Sequence, residues 1–210
     1  MKSSFANQGQ ICLCGSRIFI EKSIYEKFRD ALVEKTKKLK VGDPTDDSSN
    51  LGAVVSKPHL EKVLSYIDLA KEEGGTVLFG GKQVNLEGEC KDGWFIEPTI
   101  IEGLPYDCRT NQEEIFGPVV TLIPFDNEEE MLMMANSTQY GLSASIWTQD
   151  ITKAHRVANI LQVGFVWINC WMLRDLRTLL GGAKNSGVGR EGGFESLQFF
   201  TEAKNVCVKL

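Results

Sequence analysis

The sequence predicts an α/β fold, a mainly parallel sheet flanked by helices. Amphipathic helical patterns alternate with short apolar strand patterns along nearly the whole chain, the rhythm of β-α-β units. The chain is also long enough to enclose a core: at 210 residues, with 42% hydrophobic and 24% charged side chains, a domain buries roughly 70% of its unfolded surface. That composition excludes a disordered tail, a collagen-like repeat and a disulfide-stapled miniature. The net charge of −5, from 23 Lys+Arg against 28 Asp+Glu, argues against nucleic acid or an anionic membrane as partner, because either calls for a basic patch.

Taken in order, Arg17-Ile18-Phe19-Ile20 reads as a short strand. Ser23-Ile24-Tyr25-Glu26 has the form of a capping box, and Ile24, Phe28, Ala31, Leu32, Lys35 and Leu39 continue one helical stripe. Val41-Gly42-Asp43-Pro44 stops that helix. Leu60, Val63, Leu64, Ile67 and Ala70 line a second amphipathic helix, entered through Pro58 and ended by Gly74-Gly75. Thr76 to Phe79 is the next strand, the turn-rich segment 80–93 follows, and 95–101 and 119–124 are further strands. Asn127 opens a helix whose first turn, Glu128-Glu129-Glu130, complements the helix dipole. A strand over 143–148, a helix over 151–161 and an apolar strand over 164–169 complete another β-α-β unit. Residues 205–210 alternate Val206, Val208 and Leu210 with polar or small residues, the pattern of a half-buried edge strand. The rhythm predicts one domain.

The N-terminal residues lack the apolar stretch of a secretory signal, and no apolar run approaches the ~20 residues of a membrane span. Cys12, Cys14, Cys90, Cys108, Cys170 and Cys207 are scattered, and Cys12-x-Cys14 lacks the spacing of a zinc or redox pair. His59 and His155 stand far from the cysteines in sequence, so no metal site is expected. Scattered thiols suit a reducing compartment, which points to a cytoplasmic protein.

Three segments have the chemistry of a site. Cys12 follows the polar, glycine-containing stretch Asn7-Gln8-Gly9-Gln10, a setting where backbone N–H groups favour a nucleophilic thiolate; the alternative is a structural cysteine. Glu113-Glu114-Ile115-Phe116-Gly117-Pro118 sets two carboxylates before an aromatic residue. Carboxylates accept from ribose hydroxyls and an aromatic ring stacks on a planar one; the alternative is a solvated acidic loop with Phe116 in the core. Gly181-Gly182 through Gly192-Gly193 is glycine-rich, but it lacks the Gly-Lys-Ser/Thr of a phosphate loop and reads as a loop of tight turns.

In combination and in order, Phe5…Gly9-Gln10-Ile11-Cys12, Glu113-Glu114-Ile115-Phe116-Gly117-Pro118, Asn136-Ser137-Thr138-Gln139-Tyr140-Gly141-Leu142 and Gly181-Gly182…Ser186-Gly187…Gly189-Arg190-Glu191 resemble the NAD(P)-dependent aldehyde dehydrogenase superfamily over 5–210. The resemblance implies a catalytic domain over 1–200, an oligomerisation strand over 201–210, and no N-terminal NAD-binding domain in this sequence. It implies that Cys12 attacks the aldehyde, that Glu114 accepts from the nicotinamide-side ribose and that Phe116 packs near the nicotinamide, with NAD as cofactor. Asn169 to Thr178 is similar to the 2-aminomuconic and 2-hydroxymuconic semialdehyde dehydrogenases. Their substrates also carry a carboxylate, which a guanidinium binds in a bidentate fork. Arg174 takes that role, with Arg177 second; the alternative is that both pair with Asp175 or other acids.

The general-base glutamate and the asparagine of the oxyanion hole lie, in that family, ahead of the cysteine and outside this sequence. Leu179-Leu180 also stands where relatives carry Pro-Phe. The expectation is an oxidoreductase of a carboxylated semialdehyde whose isolated 210 residues are inactive. The competing expectation is a truncated, non-catalytic module that associates through family dimer surfaces, as a homo-oligomer or mixed with full-length relatives. A stand-alone thiol hydrolase would need a base near Cys12, and neither histidine has an evident route there.

Overall fold

A computed structural model describes residues 1–210, which divide into two compact units, Met1–Thr138 and Gln139–Leu210. The helices and strands after Thr138 pack chiefly among themselves.

The first unit contains α1 (Lys2–Phe5), β1 (Arg17–Glu21), α2 (Tyr25–Thr36), α3 (Lys57–Glu72), β2 (Thr76–Phe79), β3 (Gln83–Val84), β4 (Phe95–Ile96), β5 (Thr99–Glu102), α4 (Arg109–Gln112), β6 (Val119–Phe125) and α5 (Glu128–Asn136). Its main sheet has the order β1-β6-β5-β2, with β6 parallel to both β1 and β5, and β2 antiparallel at the edge. Successive residues of the central strands face opposite sides. Ile101 and Val119 join Leu60, Val63, Ile67 and Ala70 of α3, while Ile100, Val120 and Leu122 join Phe5 and Leu32. Both faces of the sheet are thus covered, as a parallel sheet requires. Each fully buried Ile or Val contributes roughly 1.5–3 kcal/mol of transfer free energy.

Three local expectations need correction. Ser23 lies in a 3-10 turn, Lys22–Ile24, and its hydroxyl donates to Glu21 Oε1 at 3.0 Å, so the capping box does not form. Ile24 and Phe28 remain exposed, and Leu32 and Thr36 are the residues of α2 that reach the core. The strand expected over 95–101 is interrupted: Pro98 has no N–H to give a ladder, so β4 pairs with β3 and β5 with β2 and β6. By contrast, Ser56 caps α3 by accepting from the His59 N–H, and Asn127 caps α5 by accepting from the Glu130 N–H.

The second unit contains β7 (Tyr140–Gly141), β8 (Ser143–Ile146), α6 (Ile151–Ile160), β9 (Phe165–Ile168), β10 (Ala183–Lys184) and α7 (Gly193–Phe200). β8 and β9 run parallel through α6, and β7 pairs with β10 antiparallel. A Cβ at Gly164 would stand 1.6 Å from the Gly181 carbonyl oxygen, so glycine is required where these backbones meet. Residues 202–210 form no strand and are exposed throughout. The alternation of Val206, Val208 and Leu210 finds no ladder partner within this chain, and an edge pattern without a partner stays irregular. No helix is long and apolar enough to cross a membrane.

Candidate active site

The loop bearing Cys12 is shaped by its backbone. Asn7 (φ +49°), Gln8 (+56°) and Gly9 (+69°) are successively left-handed, an arrangement rare for side-chain-bearing residues. Side chains hold it: Asn7 Nδ2 donates to the Gln10 carbonyl at 3.2 Å, Gln8 Nε2 to the Ala53 carbonyl at 3.2 Å, and the Val55 N–H to Gln10 Oε1 at 3.0 Å. Cys12 then sits exposed in a turn, with the helical turns ahead of it and β1 behind. Cys14 differs. Its thiol is half-buried and donates to the Ala6 carbonyl at 3.8 Å, and burial, with Cys12 nearby, pushes its pKa up.

The second motif meets the first at Gly9. A Cβ there would stand 2.1 Å from the Gly117 carbonyl oxygen, so backbone lies directly on backbone. Gly117 in turn lies against Val63, whose Cγ2 is 2.6 Å from where a Gly117 Cβ would be. Between these glycine contacts, Phe116 adopts φ +61° and remains 36% exposed as a residue. A left-handed backbone costs a side-chain-bearing residue roughly 1–2 kcal/mol. His59 offsets part of that cost: its Nε2 is 2.7 Å from the Phe116 carbonyl oxygen and its ring meets the Phe116 ring edge-on, centroids 6.3 Å apart.

The two carboxylates separate in character. Glu113 accepts from Arg109 Nε at 2.8 Å and from the Tyr66 hydroxyl, and the Arg109 pairing chiefly holds its pKa down at about 2. It belongs to the scaffold. Glu114 is exposed and only its backbone carbonyl is engaged, by Lys62 Nζ at 2.8 Å, so its carboxylate is free to accept from a ligand. Cys12, Glu114 and Phe116 thus belong to two loops that the structure brings together.

In the second unit, Arg177 makes the surface pair that was the alternative reading for it, with Nε 2.9 Å from Asp175 Oδ1. Arg174 is exposed, makes no ion pair, and lines a cavity of about 300 Å³ with Leu176, Thr178, Glu191 and Ser196.

The family model for the aldehyde dehydrogenases matches residues 1–206. This chain belongs to the aldehyde dehydrogenase family. It is 50% identical over 211 aligned residues to the 2-aminomuconic semialdehyde dehydrogenase of Mus musculus, covering 100% of this chain and 43% of that protein. It is 49% identical to the 2-hydroxymuconic semialdehyde dehydrogenase of Pseudomonas sp. strain CF600, again covering 100% and 43%. Among solved structures, the NAD+ complex of an aldehyde dehydrogenase from Bacillus cereus superposes with a TM-score of 0.92 at 42% identity, covering 100% of this chain and 42% of that one. The chain spans less than half the length of the relatives it matches.

Sequence reasoning missed the residues of this aldehyde dehydrogenase chain that hold the second motif: His59, Lys62 and Tyr66. Their three- and four-residue spacing places them on one face of α3. In sequence, that face is indistinguishable from an ordinary solvated one.

Proposed function

We propose that this chain carries the nucleophile and the ribose-facing carboxylate of an NAD-dependent aldehyde dehydrogenase acting on a carboxylated semialdehyde. The observation that carries the reading is the Gly9–Gly117 backbone contact, which joins the Cys12 loop to the loop of Glu114 and Phe116. An exposed carboxylate without an internal partner suits ribose hydroxyls, and an outward aromatic ring suits a planar nicotinamide, so these residues fit that end of NAD. NAD, when bound, supplies the hydride acceptor. The Cys12 sulfur adds to the aldehyde carbon as a thiohemiacetal; after oxidation, water cleaves the Cys12 thioester to release the acid and restore the thiol. Arg174 is the candidate for the substrate's second carboxylate, since Arg177 is already paired with Asp175. The six free cysteines suit a cytoplasmic setting.

The isolated 210 residues are expected to hydrolyse 4-nitrophenyl acetate slowly, because that reaction needs the thiol but no hydride acceptor. Cys12→Ala should abolish it; a variant as fast as the parent would remove Cys12 from the mechanism. With a carboxylated semialdehyde and NAD, the same residues should form no reduced cofactor. General-base assistance alone is worth 10²–10⁴-fold, and turnover matching a full-length relative would overturn that expectation.

A second reading, a non-catalytic module that associates with copies of itself or with full-length relatives, draws on the apolar residues of α7. Phe194, Leu197, Phe199 and Phe200 are all exposed, as are Val206, Val208 and Leu210. Size-exclusion chromatography with and without a full-length relative tests it: mixed oligomers favour it, and a monomer in both runs removes it.

A further inference from the structure

A single stretch of chain, Ala53 to Tyr66, grips both motif loops. Ahead of α3, Ala53 and Val55 hold Gln8 and Gln10 of the Cys12 loop by backbone-to-side-chain hydrogen bonds. Within α3, His59 holds the Phe116 carbonyl, Lys62 the Glu114 carbonyl, Tyr66 the Glu113 carboxylate, and Val63 fills the space beside Gly117. Most of these contacts end on backbone or on a scaffold side chain. His59 alone also touches the ring of a residue whose conformation is strained, because Phe116 is left-handed without being glycine or asparagine. A carbonyl oxygen only accepts, so His59 Nε2 carries the proton in this contact.

We propose that His59 is a positioning residue: its Nε2–H holds the Phe116 carbonyl, keeps that backbone left-handed and keeps the ring displayed beside the Cys12 loop. The inference rests on the reading that Phe116 packs against the nicotinamide, and it adds the group that sets Phe116 in place. The contact needs a donor rather than a positive charge, so glutamine is the conservative replacement, and leucine and alanine are the non-donors. His59 is not among the core residues of α3, which are Leu60, Val63, Ile67 and Ala70, so its loss should lower the thermal midpoint only slightly and leave the chain folded.

The test is NMR of the 210-residue chain labelled with 13C-phenylalanine, comparing the parent with His59→Gln, His59→Leu and His59→Ala. In the parent, the Phe116 Cα should resonate at a left-handed shift and its ring should show a nuclear Overhauser effect from the His59 ring. In His59→Leu and His59→Ala the left-handed shift should be lost, and in His59→Gln it should be kept, with all three variants folded by circular dichroism. An unmoved Phe116 signal in a folded non-donor variant would overturn the proposal, as would equal displacement in all three variants. Failure of the underlying functional reading looks different. Phe116 would respond to the non-donor variants, yet nicotinamide mononucleotide at millimolar concentration would leave the parent's Phe116 ring signals unshifted. That result would refute the cofactor-facing half of the proposal and leave the His59 contact standing.

Discussion

Replacing Gly9 by alanine should be among the most damaging single-methyl additions in the chain. Two costs add. Gly9 is left-handed at φ +69°, which costs an alanine roughly 1–2 kcal/mol. Its new Cβ would also meet the Gly117 carbonyl oxygen at 2.1 Å and the Pro118 nitrogen at 2.9 Å. These are backbone atoms that cannot swing aside, and overpacking of this kind costs about 1–3 kcal/mol. The sum, about 2–5 kcal/mol, is a large part of the 5–15 kcal/mol that typically holds a domain together. Two other glycines separate the terms: Gly74 is left-handed at φ +92° with nothing within 4 Å of an added Cβ, and Gly15 has open space and no positive φ. Urea unfolding followed by circular dichroism should therefore rank the alanine variants Gly15, Gly74, Gly9 in increasing loss. Gly9→Ala should also slow or scatter alkylation of Cys12, since the loop must part from Gly117. If Gly9→Ala loses no more stability than Gly74→Ala, the backbone contact between the two motif loops does not exist and the site described above is wrongly assembled.

Glu113 supplies a pH test. Its pKa is held at about 2 against an ordinary 4.5, chiefly by Arg109 and then by Tyr66. A carboxylate depressed on folding contributes stability above the unfolded value and loses it as pH falls from about 4.5 towards 2. Glu113→Gln should accordingly flatten that part of the curve of unfolding midpoint against pH, and an unchanged slope would refute the pairing. Arg17 donates to the Met134 and Ala135 carbonyls, both at 3.1 Å, at the C-terminal end of α5. Arg17→Met should cost about 1.5–3 kcal/mol, the range for hydrogen bonds to a charged group, and speed amide exchange over 128–137; exchange at the parent's rate would contradict it. In timed alkylation read by mass spectrometry, Cys12 should react ahead of Cys14 and Cys108. Burial pushes both of those thiols up, Cys108 to about 11. Equal labelling of all six cysteines would defeat that ordering.

The fold was legible wherever the pattern needed only the segment itself. α3 declared its buried face through Leu60, Val63, Ile67 and Ala70, and α5 declared its start through Asn127. Legibility failed where a neighbouring group overrides the pattern or a distant partner decides. Ser23 donates its hydroxyl to the neighbouring Glu21 carboxylate where a cap would have accepted a backbone N–H, and Pro98 split one apolar run into two strands. The motif residues Cys12, Glu114 and Phe116 stood out only through the combined motifs that resemble the family; taken singly, each left a structural alternative open. The resemblance singled out Glu114, but the residues alone could not say which carboxylate stays free, because that depends on Tyr66 and Arg109 reaching Glu113.

The shared anchorage of the two loops on Ala53 to Tyr66 has a consequence for how the sequence can vary. Gln10 and Phe116 make no hydrogen bond to one another, yet each is held by the same stretch of chain, Gln10 by Val55 and Phe116 by His59. Residues joined through a common backbone partner show interaction energies when changed together. Substitutions at one loop will therefore alter what the other loop tolerates. The pieces around Cys12 and Phe116 should drift as one inherited block, with α3 as the silent third member.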